Sequence, residues 1–193
     1  MNLIRTCQLL ASTSILAGVA LVTPIGLSWH HSPAPSIGQA AALTQPLTAA
    51  VPSGVTGKPT YFSIPSIGIS LPVTDGAYDP ATARWTLTRD KAQFALPSQQ
   101  PNTVAGNTLI YGHNRSSVFA SLAKVQPGAI AQVATDTGYV FTYNFDTTAA
   151  LDPTDTSVFA YQGPARLTVQ TCSGNYFQHR QMYYFHLLNV VKR

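Results

Sequence analysis

The chain has 193 residues, enough for one domain with a full hydrophobic core, and only 9% of them are charged. Its seven acidic residues are all aspartates, which excludes zinc peptidases of the His-Glu-x-x-His type and glutamate-based glycosidases. Eleven Lys and Arg give a net charge of +4 but form no run that suits nucleic acid; they read as solvated surface with at most mild attraction to an anionic wall or membrane.

In chain order, the first element is a membrane segment. Leu9 to Leu27 carry no charge, and at about 1.5 Å per residue the stretch approaches the roughly 30 Å thickness of a bilayer's hydrocarbon. Arg5 precedes it and the next cation is Lys58, which puts the N-terminus in the cytoplasm and the rest outside. A cleaved leader, processed near Ala40 to Ala42, is the rival. The apolar run exceeds the roughly 7 to 15 residues of such a leader, so an uncleaved signal anchor is favoured. The expectation is therefore a single-pass protein of the cell membrane with its folded part extracytoplasmic. The anchor covers residues 1–31, a Pro/Ala/Ser-rich linker 32–58 and the folded domain 59–193. His30 and His31 fall just past the span, as interfacial or linker residues.

Beyond the linker, short apolar or alternating runs are bounded by Gly, Pro, Asn and Asp: 61–64, 67–73, 108–111, 130–135, 139–145, 167–171 and 182–191. Seven strand candidates with almost no helix signal predict an all-β barrel or sandwich. Only Val118 to Lys124 has helical spacing, enough for one or two turns. In the run from Tyr139, the rings of Tyr139, Phe141, Tyr143 and Phe145 share one face. Such a stripe serves either as a glycan platform or as barrel core, and core is the expected use.

Chemistry points to Cys172. Cys7, the only other cysteine, sits in the flank of the membrane segment, so a structural disulfide is not expected. In the strand ending at Cys172, Leu167, Val169 and Thr171 share one face and Arg166, Thr168, Gln170 and Cys172 the other. The apolar set should point inward, which leaves the thiol outward in a groove. A free thiol, with a pKa near 8.5, is mostly protonated at neutral pH, so a nucleophilic one needs a neighbour that takes its proton. Among the five histidines, His113 follows a clean strand through Gly112 into a polar loop, His179 lies in the loop after Cys172, and His186 reads as a core histidine. Acyl transfer also needs donors for an oxyanion. Arg180, entering the last strand, would return beside the thiol, with Arg115 and Arg166 as substitutes.

These residues resemble the sortase family. Thr168-Val169-Gln170-Thr171-Cys172 is similar to its Thr-Leu-x-Thr-Cys signature, with Val169 in place of leucine, and Asn107 to His113 is similar to its strand ending in Gly-His. Phe62 to Ile69 resembles the opening strand pair and Phe119 to Leu122 the short helix after the histidine loop, so the likeness covers roughly residues 61–191. The spacing from Cys172 to Arg180 is shorter than the family's. The resemblance implies a closed, mostly antiparallel β-barrel of about eight strands with one or two short helices. It also implies a cysteine transpeptidase with His113, Cys172 and Arg180 as catalytic residues and Thr171 as a substrate-binding one. Implied partners are secreted proteins with a C-terminal LPxTG-like sorting motif and an amine acceptor from a peptidoglycan precursor or a pilin. No metal or organic cofactor is implied. Calcium is disfavoured by the lack of glutamate. A chain ending at Arg193, straight after the last strand, suits general anchoring better than pilus building. A thiol hydrolase without transpeptidation and a non-catalytic glycan-binding barrel are the alternatives.

Overall fold

The computed structural model describes residues 51–79, 81, 84–175 and 178–193. The expected membrane span, Cys7, His30, His31 and most of the linker lie outside the described residues. Among those described, no helix is long and apolar enough to cross a membrane.

The strands are β1 (Pro59–Ile64), β2 (Ile69–Gly76), β3 (Tyr78–Asp79), β4 (Arg84–Trp85), β5 (Ala92–Ala95), β6 (Asn107–Tyr111), β7 (Ile130–Thr135), β8 (Tyr139–Leu151), β9 (Arg166–Ser173) and β10 (His179–Lys192). Eight of them close a barrel in the order β1-β2-β5-β6-β9-β10-β8-β7, while β3 and β4 form a separate two-stranded sheet. Pairing is antiparallel except for β2 with β5 and β6 with β9. All seven predicted strands are present. The eighth, β5, gives no sequence signal because Ala92, Gln93, Phe94 and Ala95 are all buried, and a strand covered on both faces loses its alternation.

The interior is filled by Phe62, Ile110, Phe119, Phe141, Tyr143, Leu167, Val169 and Phe185, among others. Phe141 and Tyr143 are 0% and 1% exposed, so the aromatic stripe of β8 is core, and the glycan platform is ruled out by burial. Tyr139 packs on the edge of the same cluster. The predicted helical stretch is a 3-10 segment, Ala120–Lys124, whose Leu122 is buried in this core.

Three expectations need correction. His186 is not a core histidine. It alternates outward between buried Phe185 and half-buried Leu187 and pairs with Asp146 on the surface. Thr168, expected on the outward polar face, is fully buried because the outer face of the sheet carries a second apolar layer of Ala95, Leu109, Tyr111, Val158 and Met182. Finally, the linker does not run free to Lys58. The Val55 amide donates to Thr103 Oγ1 at 3.1 Å, that of Gly57 to the Pro101 carbonyl at 3.3 Å and that of Lys58 to Asp136 at 2.9 Å. The chain is thus tied to the barrel upstream of the boundary expected at residue 59.

Candidate active site

Cys172 lies near the end of β9, half-buried, on the outer face of the barrel wall, as its parity predicts. It is the free cysteine among the described residues. Arg180 is its directly opposed partner on β10, and Met182 opposes Gln170 two residues further. Opposed residues of an antiparallel pair project from the same face with Cβ atoms about 4.5–5.5 Å apart. The guanidinium is therefore delivered to the thiol by strand register. Gly174, at φ 85°, begins the reversal between the two strands in a backbone region that glycine enters without strain.

His113 reaches the same place from β6. That strand runs parallel to β9, with Tyr111 level with Gln170, so both end together. The Gly112 amide donates to the Gln170 carbonyl at 3.1 Å, and the Thr171 hydroxyl donates to the Gly112 carbonyl at 3.0 Å. A side chain at 112 would bring its Cβ to 2.8 Å from Val118 and 3.1 Å from Phe119, so only glycine lets the chain turn there and release His113. Next to it, Asn114 Nδ2 donates to the Cys172 carbonyl at 2.9 Å. The imidazole loop and the thiol strand are thereby fastened to each other.

Two cavities meet at the thiol. One, of about 590 Å³, has His113, Asn114, Arg115, Arg89, Cys172 and Arg180 in its wall. The other, of about 300 Å³, is largely apolar, with Trp85, Leu109, Tyr111, Val158, Phe159 and Met182 around it and Cys172 and Arg180 at its edge. Leu87 lines both. The segment that carries Leu87 and Arg89 is pinned at three points. Tyr111 Oη donates to the Thr86 carbonyl at 2.9 Å, Gln93 Nε2 to Thr88 Oγ1 at 2.6 Å, and Ser117 Oγ to the Arg89 carbonyl at 2.9 Å. Burial of the Tyr111 ring raises its phenol pKa, so it remains a neutral donor.

The connection from β8 to β9 forms the far wall of the apolar cavity. Asn107, 3% exposed, donates to the Val158 carbonyl at 3.2 Å and accepts from Thr168 Oγ1 at 2.7 Å and Arg166 Nε at 3.1 Å. The Arg166 guanidinium also lies 3.5 Å from the centre of the Tyr161 ring and 4.8 Å from that of Tyr184. Phe159 stacks on Trp85 with ring centres 5.9 Å apart. Asn107 is thus the buried post to which the wall is tied. Asn107→Ala strands the Thr168 hydroxyl and is expected to lower stability by about 1–3 kcal/mol, read as the midpoint of urea unfolding. An unchanged midpoint would remove Asn107 from this role.

At the start of the same connection, the Thr154 hydroxyl and amide donate to Asp152 Oδ1 at 2.6 and 2.8 Å. These bonds hold the Asp152 carboxyl below its usual range, with smaller help from the charges of His179 and Arg180. Ser157 does the same for Asp155.

His113, Cys172 and Arg180 are therefore brought to one cleft. Thr171 is not at its surface. Its side chain is buried under the strand ends and spent on Gly112, which corrects the expectation that it touches substrate. Arg166 is occupied at the other end of β9, and His179 is exposed at the start of β10. Leu87, Arg89 and Asn114 were not singled out by the sequence. Asn114, beside His113 in a polar loop, is the one with a local signal. Among the described residues, no group of three or more His, Cys, Asp or Glu side chains is placed to hold a metal ion.

A closed barrel with a half-buried thiol at a strand end, flanked by an imidazole and a guanidinium, defines a single-cysteine β-barrel. The chain belongs to the sortase family, whose domain model matches residues 62–187. No curated protein matches it. Among solved structures it is similar to sortase A from Corynebacterium diphtheriae, at 22% identity and a TM-score of 0.56 over 70% of this chain, and it spans 62% of that one. It is also similar to sortase E1 from Streptomyces coelicolor, at 19% identity and a TM-score of 0.56 over 72% of this chain and 91% of the other. A sortase from Actinomyces oris matches at 18% identity and a TM-score of 0.57 over 74% and 85%.

Proposed function

We propose that this chain is a membrane-anchored cysteine transpeptidase of the extracytoplasmic face. It cuts secreted proteins at a C-terminal LPxTG-like sorting motif and transfers them to an amine of the cell wall or of a pilin. The observation that carries this reading is the shared cleft of Cys172, His113 and Arg180, with Arg180 in register opposite the thiol.

In the first step the Cys172 thiolate attacks the carbonyl at the scissile bond. Arg180 donates hydrogen bonds to the oxyanion that develops, and as the C–N bond breaks His113 gives its proton to the departing amine. A thioester to Cys172 remains. In the second step an acceptor amine attacks the thioester carbonyl, its proton passes to His113, the C–S bond breaks and the thiolate is regenerated. The apolar cavity beside Cys172 suits the side chains of a sorting motif; in the Streptomyces coelicolor sortase E1 structure a tripeptide lies in the active site.

The reading is tested by incubating the protein with an LPxTG-like peptide, with and without excess glycine. Mass spectrometry should find the glycine amide of the shortened peptide as the main product when amine is present. Only free acid under abundant amine would assign a hydrolase instead.

A further inference from the structure

The cleft on the imidazole side of Cys172 is walled by Arg89, Arg115 and Arg180 and by no carboxylate. These are three of only eleven Lys and Arg in the chain, and they arrive from three separate places: the β4–β5 connection, the loop after β6 and the start of β10. The neighbouring apolar cavity differs. It pairs Arg84 and Arg180 with Asp155 and is otherwise mostly aromatic and aliphatic. Charge is thus uneven across the two sides of the thiol: a carboxylate offsets one of two guanidinium groups on the mostly apolar side, and none offsets the three on the other. Asp152 lies near enough for the charge of Arg180 to act on it, and among the described residues the ion pairs Lys58–Asp75 and His186–Asp146 involve neither Arg89 nor Arg115.

From this we infer that the acceptor is an amine with a carboxylate a few bonds from the attacking nitrogen, an inference that rests on the transpeptidase reading. A bare ammonium approaching three guanidinium groups is repelled. A carboxylate on the same molecule reverses the sign of the interaction and docks on Arg89 and Arg115, for which the planar, always-charged fork of arginine is suited. The same cations disfavour the protonated form of the amine beside them, so the nitrogen arrives as the free base that attack requires. It adds to the thioester carbonyl, the C–N bond forms as the C–S bond breaks, and its proton goes to His113. This chemistry fits a short free peptide or an amino-acid-like group, with amine and carboxylate on one residue, better than a lysine on a folded protein surface, whose carboxyl is bound in the main chain.

The test uses glycylglycine and glycylglycinamide, acceptors of one length that differ only in the carboxylate, with an LPxTG-like donor peptide. Glycylglycine should give at least about tenfold higher kcat/KM than its amide at low salt, and the ratio should shrink as salt screens the cleft. In the Arg89→Gln/Arg115→Gln double variant the ratio, which is taken within one protein and so is independent of that protein's own acylation rate, should fall to about twofold. Both arginines are exposed, so folding is expected to survive, as checked by thermal denaturation. Acyl-enzyme resolved equally well by both acceptors, or a preference that outlasts the double substitution, overturns the inference alone. Absence of any acyl-enzyme on Cys172 overturns the transpeptidase reading and the inference with it.

Discussion

Cys172→Ala is expected to abolish peptide cleavage and amide formation together, lowering both by at least about 10⁴-fold, the scale on which loss of a covalent nucleophile is felt. The two activities fall in step because both pass through one thioester. Stability should change little, within roughly 0.5 kcal/mol, because the side chain is half-buried on the outer face of β9 and the strand end is held by other groups. That work is done by main-chain pairing to β10 and by Asn114 on the Cys172 carbonyl. The comparison is made by steady-state rates on one peptide and by thermal unfolding of both proteins. Retention of cleavage or of amide formation in Cys172→Ala would require a second nucleophile.

Arg180→Ala carries the second-largest expected effect, a fall of about 10²–10³-fold in kcat, the range for removing one oxyanion donor. Register makes the case. Arg180 opposes Cys172 across an antiparallel pair, so its side chain rises from the same face as the thiol and stays with it as long as β9 and β10 are paired. Arg180→Lys keeps the charge and loses the planar fork, so it should recover part of the activity but not all. A residue that merely closed the barrel rim would alter unfolding and leave kcat intact. The kcat and KM of the three proteins, measured with their unfolding midpoints, separate the two roles.

The legible part of the fold was the part with period two. β8 announced its buried rings at Phe141, Tyr143 and Phe145, and β9 announced that Cys172 would face outward, because each strand has one face in the core. Where a strand is covered on both faces, that signal disappears. β5 was invisible for this reason, and Thr168 was misread because a second apolar layer, built from Ala95, Leu109, Tyr111 and Met182 of the sheet and Val158 of the β8–β9 connection, covers the outside of β9. His186 misled in the opposite sense, as a polar residue in an apolar run that plain alternation between Phe185 and Leu187 turns outward.

The site divides in the same way. His113 and Arg180 were legible because each stands next to a strand end that chain order and turn length bring towards Cys172. The walls were not legible. Leu87 and Arg89 reach the thiol through a connection held by Tyr111 and Ser117, and no spacing in the sequence encodes bonds between such distant partners. The role of Thr171 failed for a related reason: adjacency to the thiol in sequence places its side chain on the opposite face of the strand.

The most direct test of the account is capture of the acyl-enzyme. The protein is mixed with an LPxTG-like peptide without acceptor, quenched in acid, digested and mapped by mass spectrometry. The account expects the mass of the shortened peptide, joined as a thioester, on the fragment containing Cys172, and its disappearance on addition of an amine. An unmodified Cys172 fragment while peptide is still being cleaved, or an adduct on any other residue, would contradict it.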